Sequence, residues 1–214
     1  MARPASDIAE RIVLAARERF LHEGVDGASL RQIARDAGTN IGMVYYYYKS
    51  KDDLFLAVVE EVYAGILSDV RGIVASEIPE EQRFERLYQR VARMSDDEYA
   101  VLRLILREAL ISSARLSRIG ELFMRGHIPI VLDMLVAGVA NGRLRSDLNP
   151  LLLLAAALSL GLMPQLTQRL LSANFPIAGS LPNRQDLARS MWDVLLNGLA
   201  GPALRERKNF EKKP

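Results

Sequence analysis

Apolar side chains recur along this chain at intervals of three and four residues, and no run alternates convincingly with period two, so the pattern predicts helices throughout. Ile8, Ile12, Ala16 and Phe20 form one stripe and predict a helix from about Asp7 to His22, with Gly24 beyond its end. Leu30, Ile33, Ala34 and Ala37 form a second stripe behind Ser29, which can cap that helix while Gln32 returns the hydrogen bond. Gly38 stops it. Asn40 is placed to cap a short third helix that turns Ile41 and Val44 inward. Small residues at Ala34 and Gly38, followed by Val44, give the spacing of a helix-turn-helix, which points to DNA.

Rotation by 100° per residue sorts the third helix. With Val44 taken as inward, Tyr48 lies about 40° away and Ile41 about 60°, so both belong to the inside. Gly42, Met43, Tyr45 and Tyr46 point outward and Tyr47 sits at the margin, so four successive tyrosines do not share one role. The outward set suits a helix laid in the major groove. Gly42 admits close backbone approach, Met43 can touch a thymine methyl, and tyrosine hydroxyls reach phosphates or base edges. Bidentate guanine reading is not expected from this helix, which leaves Arg31, Thr39 and Asn40 as the nearby polar candidates. Lys51 is expected to meet phosphate, because it opens a helix capped by Ser50 with Asp53 at the third position.

That fourth helix is predicted to run to about Ala75, about 36 Å at 1.5 Å per residue, long enough to act as a lever between two domains. Further helices are predicted near Glu80 to Met94, Asp97 to Arg115, Ser117 to Asn141, Pro150 to Leu171 and Asn183 to Leu199. Asp96 is placed to cap one, Gly142 to close another, Asn149 with Pro150 to open the next, and Asn183 with Asp186 to open the last. The RERKNFEKKP tail is expected to be mobile. Arg3, in the arm before the first helix, can reach a groove or the backbone.

Charge adds a local signal only. The net charge is +2, and residues 1–60 carry eight basic against nine acidic side chains, but Leu30 to Lys51 carries Arg31, Arg35, Lys49 and Lys51 against the single acid Asp36. Cysteine is absent, which excludes disulfides and thiolate metal sites and suits a cytoplasmic protein. The N-terminus lacks an apolar signal segment. The longest apolar run, Leu151 to Met163, is 13 residues, short of the roughly 20 that span a bilayer, and reads as a buried helix of a soluble protein. Two histidines, no phosphate-cradling glycine loop and no metal-ligand cluster leave enzyme chemistry without parts, so no catalytic residue, metal or cofactor is assigned. Asp96, Asp97 and Glu98 read as charge at a helix start.

Residues 8–66 resemble the DNA-binding domain of TetR-type transcriptional regulators. The likeness rests on IAERIVLAARERFLHEGVDGASLRQIARDAG followed by NIGMVYYYYKSKDDLFLAVVE, with the Phe20 and Gly24 helix end, the Ala-Gly turn, the aromatic end of the recognition helix and the Lys-Ser-Lys entry to the fourth helix. Thr39 and Asn40 stand where the family most often has valine and serine, Ile41 replaces a frequent lysine, and Tyr46 and Tyr47 replace common histidines. These departures leave the operator sequence open. The resemblance implies an all-α fold: a three-helix helix-turn-helix domain (residues 1–50) joined by a long helix to a ligand-binding and dimerisation domain (51–204), before the tail (205–214). It also implies a homodimer packed through the last two helices, which here are rich in leucine and alanine on more than one face. Two recognition helices one DNA turn apart then match a pseudo-palindromic operator.

The family further implies a small-molecule effector held among helices four to eight. Tyr63, Tyr88, Met94, Leu102, Leu106, Met124, His127, Met163, Gln165 and Trp192 are the candidate lining residues, although methionines and aromatics at helical spacing equally serve as core. His127 is expected mid-helix before Pro129, where it satisfies a freed carbonyl or meets a ligand, and Pro164 is expected to kink the helix carrying Gln165. Arg107, Glu108 and Asp133 are expected to pair with one another, which makes the ligand mostly apolar. The expectation is therefore a ligand-released repressor. A same-fold regulator controlled by a protein partner, and a helical ligand-handling enzyme or carrier, are the alternatives.

Overall fold

The structure, a computed structural model, describes residues 5–142, 144, 147–174 and 182–197. The described residues form helices and no strand: α1 (Ala5–Gly27), α2 (Leu30–Asp36), α3 (Ile41–Tyr47), α4 (Lys51–Ala75), α5 (Glu80–Ala92), α6 (Asp96–Ile111), α7 (Ser113–Met124), α8 (His127–Ala140), α9 (Pro150–Asn174) and α10 (Arg184–Asn197). Arg3, the tail 205–214 and the expected helix end at Leu199 lie outside the described residues. The chain divides into two compact units, Met1–Val70 with Met94–Ile128, and Arg71–Arg93 with Pro129–Pro214. This grouping differs from the division at residue 50 drawn from the motif.

The first unit explains the difference. Its core joins the α1 stripe (Ile12, Ala16, Phe20) to Ile33 and Ala34 of α2, Val44 of α3, and Leu54, Phe55, Val58 and Val59 of α4, and then adds Val101 and Leu104 of α6 and Ile119 of α7. Phe20 and Phe55 meet edge to face with ring centres 6.4 Å apart. Full burial of one such ring stabilises by about 1.5–3 kcal/mol. The helix-turn-helix thus shares one hydrophobic core with α6 and α7, which no local pattern announces. Gly24 interrupts α1 at φ +75°, a conformation that L side chains rarely adopt, so this position favours glycine.

Four helix ends differ from their sequence expectation. Ser29 occupies the N-cap of α2 but makes no side-chain capping bond; Gln32 faces Arg19 instead, with Oε1 accepting from Nη1 at 3.4 Å. Ser95, not Asp96, caps α6: its Oγ accepts from Glu98 N at 3.1 Å while Glu98 Oε2 accepts from Ser95 N at 2.8 Å. The reciprocal box satisfies two orphan donors, which a lone Asp96 cannot. α6 ends at Ile111 because Ser112 turns extended and caps α7 in place of a continuing helix. The single helix expected from Ser117 to Asn141 is broken at Arg125 and Gly126, so His127 opens α8 rather than sitting mid-helix. Pro129 is the third residue of α8, where no intrahelical bond is lost.

In the second unit α10 packs on α5 and α9. Phe84 and Trp192 stack with ring centres 5.5 Å apart, and Tyr88 lies 5.7 Å from Trp192. Asn149 Oδ1 accepts from Leu151 N at 2.8 Å to open α9, Asn183 Oδ1 accepts from Gln185 N and Asp186 N to open α10, and Gly142 follows α8 at φ +76°. The expectation of a buried α9 holds on one side only. Leu153, Leu154, Ala157 and Leu166 are buried, while Leu151, Leu152, Met163 and Leu170 are exposed. By length and composition, Pro150–Ser172 is also apolar enough to cross a membrane.

Candidate nucleic-acid interface

The turn between α2 and α3 is locked from three directions. Gly38 takes φ +62°, which opens the reversal: Gly38 N donates to Arg35 O at 3.0 Å and Thr39 N to Ala34 O at 2.9 Å, the paired bonds of a Schellman ending. From α1, Arg11 Nη1 donates to Ala37 O at 2.6 Å and binds the last turn of α2. Asn40 then caps α3, its Oδ1 accepting from Met43 N at 3.0 Å. A Cβ at Gly42 would crowd that oxygen at 3.1 Å, so Gly42 lets the cap close as well as leaving the helix face open.

The orientation of α3 follows the rotation. Val44 is fully buried, and Ile41, Tyr47 and Tyr48 pack part-buried against the same core. Tyr45 and Tyr46 are 56% and 77% exposed, large values for aromatic side chains on a seven-residue helix. Tyr46 meets Tyr47 edge to face at 5.1 Å, and Tyr47 lies 6.3 Å from Tyr48, so the Tyr46 ring leans on inner ones. Burial pushes the Tyr48 phenol above its usual value. Arg31, Asn40 and Gly42 are exposed, with Thr39 and Met43 half-buried.

Lys51 opens α4 under the Ser50 cap, in which Asp53 N donates to Ser50 Oγ at 3.1 Å and Ser50 Oγ donates to Asp53 Oδ2 at 2.8 Å. Its own ammonium donates to Asp26 O at 2.8 Å, which fixes the head beside the α1–α2 corner. Residues that sequence reasoning passed over surround it. Arg115 of α7 donates from Nε to Asp52 Oδ1 at 2.9 Å and from Nη1 to Glu108 Oε2 at 2.7 Å, and its Nη1 and Nη2 both meet Asp26. Arg118 Nη2 donates to Asp53 Oδ1 at 2.6 Å. The Arg115 hydrogen bond holds the Asp26 carboxyl below the usual range, and Ser50 with Arg118 does the same for Asp53. Arg115 had no sequence signal, since Asp52 and Asp26 are 63 and 89 residues away.

The candidate ligand residues do not form one cluster. In the first unit Tyr63 and His127 touch, the hydroxyl 2.8 Å from Nδ1, with Phe123 against both rings. Met94 and Leu102 are half-buried there, and Leu106 and Met124 are exposed. In the second unit Tyr88 and Trp192 touch, and Tyr88 donates to Ala157 O at 2.9 Å. Gln165, only 4% exposed, donates from Nε2 to Arg184 O at 3.1 Å and leaves Oε1 without a partner. Met163 is exposed. The expected mutual pairing of Arg107, Glu108 and Asp133 is found only in part: Glu108 lies 3.9 Å from Arg107 but bonds chiefly to Arg115, and Asp133 is exposed in the other unit.

Residues 12–58 match the family described as bacterial regulatory proteins, tetR family. Over 63 residues the chain is 40% identical to the HTH-type transcriptional repressor NicS of Pseudomonas putida, covering 29% of this chain and 30% of that protein. The chain therefore spans about a third of that relative's length. Two solved structures align far more widely. A putative fatty acid metabolism regulator of Clostridium perfringens covers 89% of this chain and 99% of its own, with a TM-score of 0.74 at 17% identity. The transcriptional regulator FadR of Bacillus subtilis, solved in complex with stearoyl-CoA, covers 89% and 99%, with a TM-score of 0.73 at 17% identity. At such identities these two share the fold.

Proposed function

We propose, from the match of residues 12–58 to the tetR family of bacterial regulatory proteins, that this chain is a ligand-responsive transcriptional repressor of that family that binds a pseudo-palindromic operator as a homodimer. The observation that carries this reading is α3: a short helix capped by Asn40, anchored by Val44 and presenting Tyr45 and Tyr46 outward. Two tyrosines presented outward from one short helix suit contact with base edges, thymine methyls and phosphates. Arg31, Thr39, Asn40, Gly42, Met43, Tyr47 and Lys51 complete the proposed surface.

Homodimerisation through α9 and α10 is the second part of the proposal. Leu151, Leu152, Met163 and Leu170 leave apolar surface on α9 that a second copy would cover, and this is the reading we give to its membrane-like composition. The cytoplasm is the proposed site of this action on DNA. The proposed effector is small and mostly apolar. Its lining is drawn from the largely uncharged candidates of the second unit, Tyr88, Gln165 and Trp192, where the buried Gln165 Oε1 has no partner. Selection from a random duplex library tests the proposal. Recovery of a palindrome whose half-sites lie about one DNA turn apart, with binding reversed by an apolar compound, is expected. Enrichment of no sequence by a folded dimer would contradict it.

A further inference from the structure

Three carboxylates crowd the point where phosphate is to be met. Asp52 and Asp53 follow Lys51 directly, and Asp26 supplies the carbonyl that holds the Lys51 ammonium. Left uncompensated, this group would repel a polyanion at contact range, well inside the screening length of about 10 Å at 0.1 M salt. Each of the three is met by an arginine of one helix, α7: Asp26 and Asp52 by Arg115, Asp53 by Arg118. Arg115 is itself anchored from behind by Glu108, 2% exposed, whose other oxygen accepts from Val25 N at 3.5 Å.

We propose that Arg115 and Arg118 of α7 are positioning residues for DNA binding, neutralising Asp26, Asp52 and Asp53 and holding the α4 N-terminus, with Lys51, in place for phosphate. The inference rests on the DNA-binding reading above. A planar guanidinium that serves Asp52, Asp26 and Glu108 together has little tolerance for displacement, since each bond needs its own direction. A small shift of α7 would uncover negative charge at the DNA surface and loosen Lys51. α7 is thereby an element through which operator affinity can be set without touching the helix-turn-helix.

The test compares Arg118→Gln, Arg115→Gln and the pair Arg118→Gln with Asp53→Asn, on the selected operator across a range of salt. Arg118→Gln is expected to weaken binding about fivefold or more. The slope of log affinity against log salt is expected to stay unchanged, whereas a lost phosphate contact lowers it by about 0.9. Asp53→Asn in the Arg118→Gln background removes the exposed charge while an amide oxygen still accepts from Ser50, and is expected to restore most of the affinity. A purely structural loss would not be rescued so. Arg118 lies in a part-exposed pair, so its variant is expected to fold even if Arg115→Gln does not. Wild-type affinity in folded Arg118→Gln, a slope reduced by about one, or no rescue in the double variant would each overturn the proposal alone. Failure of the wild-type chain to bind any duplex would overturn the DNA-binding reading, and this proposal with it.

Discussion

The Tyr63 hydroxyl accepts the backbone N–H of His127 at 2.9 Å and lies 2.8 Å from Nδ1 of the same residue. The hydroxyl either donates to Nδ1 of a ring protonated on Nε2 or accepts from a protonated Nδ1, as the tautomer dictates. Burial holds the His127 pKa below its ordinary value.

Stability should therefore depend on pH through this ring. Well above about 6.5, folded and unfolded chains both carry neutral His127 and its contribution is fully present. As pH falls through about 6.5 the unfolded chain takes up the proton first, and stability declines until the lower folded-state pKa is passed. Urea unfolding between pH 7.5 and 5.5 checks this: the decline should shrink in His127→Asn, which keeps an acceptor but does not titrate. An equal decline in both proteins would assign it elsewhere.

Gly126 is bound to the same contact, because a Cβ there would collide with the Tyr63 hydroxyl. Gly126→Ala is expected to destabilise by about 1–3 kcal/mol as overpacking. Tyr63→Phe, by removing the colliding oxygen, should make Gly126→Ala less costly in a double-mutant cycle measured by denaturant unfolding.

Asn40 bears on both folding and recognition, whereas Tyr46 bears on recognition alone. Asn40→Ala removes the α3 cap and should cost about 1 kcal/mol of stability. Tyr46, 77% exposed, should lose no more than about 0.5 kcal/mol on change to alanine while operator affinity falls. Thermal melts alongside binding titrations distinguish the two outcomes.

On α9, Leu152 and Leu170 are large and exposed. A charge at either, as in Leu152→Glu or Leu170→Glu, should convert dimer to monomer in sedimentation equilibrium with helix content retained, and should weaken operator binding because one half-site is lost at a time.

How far the sequence disclosed this molecule depends on the range of the interaction. The inward and outward faces of α3 were legible because Val44 and its neighbours obey a fixed rotation per residue. Lys51 was legible as a helix start because Ser50 and Asp53 signal locally. Adjacent cap formers defeated the choice between Ser95 and Asp96, which only the reciprocal bond to Glu98 decides. A glycine such as Gly126 fits a helix interior as well as a helix end, so the break before His127 carries no local signal. The unit boundary was hidden because Val101, Leu104 and Ile119 join the helix-turn-helix core from distant helices. Arg115 gathers partners 7, 63 and 89 residues away, a pattern with no local period.

The most direct measurement is operator affinity of wild-type protein, Tyr45→Ala and Lys51→Ala as a function of salt, using the selected duplex and a scrambled control. Steep salt dependence, preference for the operator, loss of that preference in Tyr45→Ala, and a slope lower by about 0.9 in Lys51→Ala are expected if α3 reads sequence and Lys51 holds phosphate. Equal affinity for both duplexes in all three folded proteins would contradict the account.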